Sequence, residues 1–274
     1  MELREPLLGV AVGRKGCGKT YTTNDLIQKY VRGDIQRGIP PRRVLILDVN
    51  DEFEKVPALR LSDVMKFSVH PIIEVRRIRP FKPNGEKMTI NDILEALHDI
   101  LRKFRNGLLL LEDINRYVSD NLPNDIIGAI CTNRHSDMDI IMHFQSIGRI
   151  TPKIWANLNW IRFHKNTESV DRHRNKFEDK YEMLKLIEMY IDNEIDAGDE
   201  RCYCYADIQM MKINKIDIKK MDKVIEEYIA DNQKRLINPL IARKDFGTGK
   251  KMFTPQTAFD YQKERIKKNY IYQK

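Results

Sequence analysis

One octapeptide limits what this chain can fold into more than any other stretch. Gly13-Arg14-Lys15-Gly16-Cys17-Gly18-Lys19-Thr20 fits the pattern G-x-x-x-x-G-K-[ST] at every position. The apolar run Leu7 to Val12 precedes it and the helix-compatible run Tyr21 to Val31 follows, which is the strand–loop–helix context that the pattern requires. The glycines allow a sharp turn that points backbone N–H groups inward at a helix N-terminus. The octapeptide therefore predicts a phosphate-binding loop, and hence a chain that binds a nucleoside triphosphate.

The residue types within this loop assign roles to its members. Lys19 is expected to reach the β- and γ-phosphates, and the Thr20 hydroxyl is expected to take a position on Mg²⁺. We therefore expect ATP and Mg²⁺ as the cofactors. The alternative, a glycine-rich turn with a chance lysine, leaves the matching flanks without an explanation. The predicted nucleotide-binding residues are Gly13, Arg14, Lys15, Gly16, Cys17, Gly18, Lys19, Thr20 and Tyr21, joined by Asp48 and Glu52 after the second strand.

Two later apolar runs, each predicted to be a strand, also end in polar residues. Glu112 and Asp113 follow the apolar run 108–111, and Gln145 follows the run 140–144. Open α/β sheets bind ligands at the carboxyl ends of their strands, and Mg²⁺ prefers oxygen ligands. We assign Glu112 to the metal together with Thr20, Asp113 to activation of the attacking water, and Gln145 to sensing the γ-phosphate. The alternatives are an acid that caps a helix and a glutamine that binds loop backbone.

Three arginines are candidates for stabilising charge in the transition state, across a subunit boundary where the chain is oligomeric. They are Arg134, Arg149 and Arg162. For any one of them, an ordinary surface or salt-bridge arginine is the alternative.

The alternation of strands and helices predicts the fold class. Apolar runs that alternate with helical patterns favour right-handed crossovers and a mostly parallel sheet flanked by helices, an α/β P-loop NTPase fold of the RecA/ASCE type. The clearest helix is 89–104, with Thr89 as N-cap. A strand at 72–78 and helices at 180–197 and 216–232 are also expected. We predict an ATPase domain over residues 1–214 and a basic, mainly helical C-terminal appendage without a core over residues 215–274.

Charge and composition restrict partners and compartment. The formal net charge is +8, and residues 215–274 hold fifteen Lys/Arg against eight Asp/Glu. This asymmetry indicates a polyanion partner, with a solvated charged tail as the alternative. The four cysteines form no disulfide framework and match no standard zinc spacing, and no apolar run has the length of a membrane span. A cytoplasmic setting, with the chain not itself transmembrane, is the expectation.

Several segments resemble the HerA/FtsK superfamily of DNA-pumping ATPases. The stretch Asp48-Val49-Asn50-Asp51-Glu52-Phe53 is similar to the Asp-x-x-x-Glu-aromatic signature of HerA-type ATPases. Asn133-Arg134-His135, with the run 139–144 and Gln145, resembles the segment that leads to the sensor glutamine of FtsK-like motors. Ala156-Asn157, Arg162-Phe163 and Asp171-Arg172 continue the likeness, which covers roughly residues 5–175. The chain departs from the pattern at Glu112-Asp113, where the superfamily has Asp before Glu.

The resemblance implies a ring of identical subunits that binds MgATP at subunit boundaries and contacts double-stranded DNA through its phosphates. The compact sequence resembles viral genome-packaging ATPases, with a portal or membrane protein as a further partner. Zot-like phage assembly or export ATPases and conjugation ATPases are the alternative within this chemistry. A nucleotide-dependent switch or scaffold with little hydrolysis is the alternative of another class, and a small-molecule kinase is a weaker third.

Overall fold

The structure is a computed structural model of the 274-residue chain and describes residues 5–114, 124–131 and 136–271. The chain forms two compact units, Met1–Glu168 and Ser169–Lys274. The boundary therefore lies after Glu168 and not after residue 214, where the charge pattern places it. The reason is that the helix following residue 180 packs on the helix that opens the basic segment, so both belong to the second unit.

The first unit is built on a parallel sheet. Its strands are β1 (Leu8–Val12), β2 (Arg43–Leu47), β3 (Val75–Ile78), β4 (Gly107–Leu111), β5 (Met138–Phe144) and β6 (Trp160–His164). They lie in the order β3-β2-β4-β5-β1-β6, and each neighbouring pair is parallel. Four of the strands, β1, β2, β4 and β5, are buried along their whole length, as expected for a sheet covered on both faces. The predicted α/β fold with a mostly parallel sheet is confirmed.

The described helices of this unit are α1 (Lys19–Arg32), α2 (Val64–Val69), α3 (Ile90–Lys103), α4 (Asn124–Cys131) and α5 (Pro152–Asn157). The start of α3 follows from its sequence. The Thr89 hydroxyl accepts from the Asp92 amide while the Asp92 carboxylate accepts from the Thr89 amide, a capping box that confirms the predicted N-cap. The side chains at helical spacing on one face of α3 are buried, which fixes that face toward the core.

The register of the sheet brings the ends of three strands together. Val12, the last residue of β1, lies opposite Phe144 at the end of β5. Leu111, the last residue of β4, lies opposite Met142. Because all three strands run in the same direction, the segments that follow them leave from one edge of the sheet. The glycine-rich loop, the two acids and Gln145 are therefore placed side by side.

The second unit is mainly helical. It contains α6 (Arg174–Phe177), α7 (Tyr181–Asp196), β7 (Tyr203–Asp207), β8 (Lys212–Asn214), α8 (Ile218–Asp231), α9 (Gln233–Leu236), α10 (Asn238–Ile241) and α11 (Pro255–Tyr270). Strands β7 and β8 are antiparallel. The buried face of α8 and the buried residues Ala258, Ile266 and Tyr270 of α11 belong to the core of this unit. Residues 215–271 are mainly helical as predicted, but they share a core with residues 169–214 and are not an appendage. Over the described residues, no helix has the length and apolar character needed to cross a membrane.

Candidate nucleotide-binding site

The glycine-rich loop between β1 and α1 has the backbone of an anion-binding turn. Gly13, Gly16 and Gly18 have φ values of 156°, 81° and 89°, which favour glycine. A Cβ on Gly13 would lie 2.6 Å from the Cβ of His164 and 2.9 Å from the Sγ of Cys17. No larger residue fits this position, so the loop lies close against the end of β6.

Lys19 lies over this loop. Its Nζ donates to the carbonyl oxygens of Gly13, at 2.6 Å, and of Arg14, at 2.9 Å. A cavity of about 730 Å³ opens beside it, within the range of small-ligand sites. The predicted residues that line this cavity are Lys15, Gly16, Gly18, Lys19, Thr20, Tyr21, Glu52, Glu112, Asp113 and Gln145. The structure therefore brings together most of the predicted nucleotide and catalytic residues.

Glu112 lies at the bottom of the cavity with its side chain almost fully buried. Its Oε2 is 2.7 Å from Nδ1 of His143, the distance of an ion pair, although the angles fall outside those of a hydrogen bond. Burial raises the pKa of the Glu112 carboxyl, but His143, Lys19 and Arg162 together hold that pKa below its ordinary value. Glu112 is therefore an ionised carboxylate whose direction is set by a buried histidine.

The contacts of His143 continue beneath the loop. Its Nε2 is 2.8 Å from the Thr23 hydroxyl, one turn after Thr20 on α1. The same hydroxyl binds Nη2 of Arg162, which also donates to the Lys19 carbonyl at 3.1 Å. The acid that ends β4 and the first turn of α1 are thus joined by one buried polar chain.

His164 ties the end of β6 to the loop. Its Nε2 lies 3.2 Å from Nε of Arg162, and its Nδ1 lies 3.2 Å from the Cys17 carbonyl. Burial, followed by the charges of Arg162 and Lys19, lowers the pKa of His164 to about 2. The ring is neutral, and because Nε2 accepts from arginine, Nδ1 carries the proton that binds the loop. The side chain of Cys17 is buried and does not face the cavity. Cys17 therefore contributes to the loop through its carbonyl, which binds His164.

The predicted catalytic arginines occupy different places. Arg162 is fully buried, so its guanidinium cannot act across a subunit boundary. The predicted catalytic role of Arg162 is therefore wrong, and its side chain supports the loop instead. Arg149 lines a second cavity of about 550 Å³ with Arg14. This cavity also has Lys15, Asp113 and Gln145 in its wall, so it adjoins the nucleotide cavity. Arg134 lies outside the described residues.

Asp113 and Gln145 form a pair at the mouth of the cavity. Nε2 of Gln145 donates to Oδ1 of Asp113 at 2.9 Å, and Nδ2 of Asn50 lies 3.4 Å from the other oxygen. Asp113 has a φ of 42°, in the left-handed region, and its side chain lines the cavity together with that of Glu112. Asp113 and Gln145, which the sequence places at the ends of two different strands, therefore form one hydrogen-bonded pair.

Asp48 does not face the cavity. It is fully buried, and its carboxylate accepts from the amides of Glu52, at 2.9 Å, and Phe53, at 3.0 Å. It also pairs with Nη1 of Arg77 at 2.8 Å. The prediction of Asp48 as a nucleotide ligand is therefore wrong, because its oxygens hold the loop that carries Glu52. Burial, and then the charges of Glu112, Asp48 and Asp113, raise the pKa of Glu52.

The donors at this end of the cavity fit Mg²⁺. Thr20, Glu112 and Asp113 offer only oxygen atoms, the ligands that this ion prefers. Glu52, Glu112 and Asp113 line the same cavity, so negative charge is crowded here, and a divalent cation would offset it.

Sequence reasoning did not single out His143, Thr23, Asn50 or Arg77. The available signal was weak, since His143 is one polar residue within the apolar run of β5. Its partner Glu112 comes from another strand, so no local spacing connects the two.

The loop, the strand order and the acids at the strand ends define an α/β protein with the P-loop NTPase fold. Among solved structures, the chain is similar to the genome packaging NTPase B204 from Sulfolobus turreted icosahedral virus 2. Its complex with AMP matches with a TM-score of 0.52 and 17% identity, over 78% of this chain and 99% of that chain. Its complex with AMPPCP matches with a TM-score of 0.50 and 16% identity, over 76% and 95%.

A further match is the N-terminal domain of zonular occludens toxin from Neisseria meningitidis. Its TM-score is 0.34 at 14% identity, over 58% of this chain and 76% of that chain, which is too low to carry an argument. No protein-family model and no curated protein matches the chain. The structural matches confirm the fold and the resemblance to a viral genome-packaging NTPase, and at these identities they extend no further.

Proposed function

We propose that this protein is an ATPase that drives double-stranded DNA through a ring of identical subunits, and that the DNA is a viral genome entering a capsid. The observation that carries the proposal is the single cavity in which Lys19 and Thr20 face Glu112, Asp113 and Gln145. A fold shared with a genome packaging NTPase supports the choice of cargo.

The chain's own residues supply the chemistry as follows. Lys19 leaves the carbonyls of Gly13 and Arg14 and moves to the β- and γ-phosphates. Thr20 and Glu112 would hold Mg²⁺, and the ion would supply charge that neutralises the phosphates. Asp113, oriented by Gln145, accepts the proton of the attacking water.

Completion of the site requires a positive charge from outside the subunit. Because Arg162 is buried under its own loop, the candidates for an arginine from the neighbouring subunit are Arg134 and Arg149. Lysines and arginines would contact DNA phosphates without reading sequence, so binding would weaken steeply with salt. A portal or membrane protein would anchor the ring at the capsid.

Steady-state ATP hydrolysis with and without duplex DNA tests the proposal, with Lys19→Ala as the blank. We expect hydrolysis that duplex stimulates several-fold and that the blank lacks. Hydrolysis that is indifferent to duplex but stimulated by single-stranded DNA or protein would instead support an export or conjugation ATPase.

A second candidate is a nucleotide-dependent switch that hydrolyses little. It is favoured by the direction of Glu112, whose carboxylate is turned toward His143. Substitution of Asp113→Asn separates the two functions. A motor loses turnover and keeps nucleotide binding, whereas a switch changes little in either respect.

A further inference from the structure

A short hairpin, residues 243–252, projects between α10 and α11 in the second unit. We call it the basic hairpin. Lys244 pairs with Lys251 as an antiparallel bridge, the Asp245 amide donates to the Lys250 carbonyl at 2.8 Å, and the Met252 amide donates to the Arg243 carbonyl at 3.1 Å. These bonds give the segment a defined backbone.

The tip and base of the basic hairpin are both fixed. At the tip, Gly249 has a φ of 67° and its amide donates to the Asp245 carbonyl at 2.9 Å. At the base, the Phe253 ring packs edge-on against Tyr261 of α11 at 5.5 Å, and Leu240 of α10 is buried. The side chains in between are therefore presented by an ordered turn.

The charge of the basic hairpin is directed outward. Arg243, Lys244, Lys250 and Lys251 are exposed, and none of them pairs with an acid within the described part of the chain. The one acid, Asp245, accepts through Oδ1 from the amides of Gly247 and Thr248 and from the Thr248 hydroxyl. These bonds lower the pKa of Asp245 and turn its carboxylate into the turn.

Four other basic residues of the segment differ in this respect. Lys220, Lys263, Arg265 and Lys267 pair with Glu194, Glu226, Glu182 and Asp222, at 2.6 to 3.1 Å. They neutralise acids of their own unit. The basic hairpin instead brings four exposed cations together within ten residues, with one acid among them.

An aromatic ring stands at the tip among these charges. Phe246 has a relative exposure of 108%, and Met252 is 57% exposed at the other end of the hairpin. Isolated exposed apolar residues are common on protein surfaces. Here the exposed Phe246 ring belongs to a turn that its own hydrogen bonds fix. Two cations precede the turn along the chain and two follow it.

We propose that the basic hairpin is the surface by which this chain contacts duplex DNA, with the four cations on phosphates and the Phe246 ring against the bases in a groove. The proposal rests on the proposed function and names the part of the chain that meets the DNA. Cations that flank an apolar wedge are a combination that architectural DNA-binding proteins use. A membrane surface is a poorer fit, because interfacial binding uses the apolar face of a whole helix and this tip offers one ring.

The test measures the affinity of the full chain for a fluorescent duplex by anisotropy over a series of salt concentrations. In Lys250→Gln/Lys251→Gln, the slope of log K against log salt is expected to fall by about two, because each phosphate contact contributes roughly 0.9. The matched control is Lys219→Gln/Lys223→Gln, which removes the same charge from exposed positions of α8. Its slope should equal that of the wild-type chain.

The aromatic contribution is tested with Phe246→Ala. Affinity for the duplex is expected to fall about tenfold, the order found for base–aromatic contacts, while the salt slope stays unchanged. Hydrolysis of ATP in the absence of DNA should be that of the wild type in all variants, which shows that they fold.

Three outcomes overturn the inference. If the hairpin variants bind duplex as well as the control does, the DNA contact lies elsewhere while the proposed function stands. If the wild-type chain binds no duplex, the inference and the proposed function both fail. If Phe246→Ala loses binding to vesicles of phosphatidylcholine and phosphatidylserine but not to duplex, the hairpin is a membrane contact.

Discussion

His143 gives the acid beneath the phosphate loop its direction. In most P-loop ATPases the metal-binding residue is an aspartate, and Glu112 is one methylene longer. The longer Glu112 side chain reaches His143, whose Nδ1 lies 2.7 Å from Oε2, and the Thr23 hydroxyl contacts the other nitrogen of the ring. Partners of this kind typically change metal affinity or activity by about 10- to 100-fold when they are removed.

We therefore expect His143→Phe to weaken the magnesium-dependent part of nucleotide binding at least about tenfold. Binding without magnesium should be unchanged, since Lys19 and the loop amides remain. Titration of Mg²⁺ into the protein with a fluorescent ATP analogue measures both. His143→Asn, which keeps a donor near the position of Nδ1, should retain most of the magnesium-dependent binding. Tyr30→Phe, which removes a partly buried hydrogen bond to Asp139, is the structural control. Equal losses with and without magnesium would refute a positioning role.

Glu52 provides a pH dependence whose sign is fixed. Its pKa is raised above 4.5 by burial and by the charges of Glu112, Asp48 and Asp113. The folded chain therefore binds this proton more readily than the unfolded chain, and the stability that this gives at low pH is lost as pH rises from the ordinary glutamate pKa to the raised pKa. Glu52→Gln should raise the free energy of unfolding at pH 7 without nucleotide by less than about 1 kcal/mol, because the site is partly solvated. The gain should vanish at pH 4, and thermal unfolding of both chains at the two pH values measures the difference.

At the scale of elements, the turn after β2 depends on Asp48. Its carboxylate holds two amides of the turn and the Arg77 guanidinium of β3, which is also buried. Asp48→Ala leaves Asp51 as the one carboxylate that pairs with that guanidinium, whose Nε still donates to the Val56 carbonyl, and should lower the free energy of unfolding by about 3 kcal/mol. Urea unfolding measures the loss. Arg79→Gln, which breaks only the exposed pair with Asp51, should cost under about 1 kcal/mol, and a similar cost in both variants would contradict the assignment.

Elements whose signal is local could be predicted, and contacts between distant segments could not. The strand–loop–helix around the octapeptide, the N-cap at Thr89 and the apolar strands carry their information in neighbouring residues, and the structure confirms these elements. The sequence predicts Asp48 as a ligand because Asp48 follows the end of a strand. That position does not show whether the side chain faces the cavity or Arg77. Arg162 is a catalytic candidate in the sequence because nothing near it along the chain shows that its guanidinium binds the start of α1. The boundary at Glu168 depends on which helices pack together, and no change of composition marks it.

At the scale of the whole molecule, the segment 165–168 connects the nucleotide site with the start of the second unit. The Lys165 carbonyl accepts from the Arg14 amide of the loop at 2.7 Å, and Oδ1 of Asn166 accepts from the Ile147 amide at 3.0 Å. Glu168 binds Ser146, next to Gln145, and the second unit begins at the following residue. Hydrogen bonds therefore join the loop and Ser146, the neighbour of Gln145, to the segment through which the chain enters the second unit.

The proposed ring requires that one subunit completes the site of another, and mixed assemblies test this directly. Lys19→Ala removes the loop lysine, Arg134→Ala removes a candidate trans arginine, and each variant alone should be inactive, since such an arginine is worth about 10³–10⁵ in kcat. When equal amounts are mixed and reassembled, an active interface needs an intact loop from one variant and an intact arginine from the other. Random assembly then gives about one quarter of wild-type ATP hydrolysis, because each of the two requirements is met about half the time. The same mixture with Arg149→Ala tests the arginine beside Asp113, and the mixture that recovers activity identifies the residue that acts in trans. Activity of Arg134→Ala and Arg149→Ala that neither falls alone nor recovers on mixing would show that the site is complete within one subunit.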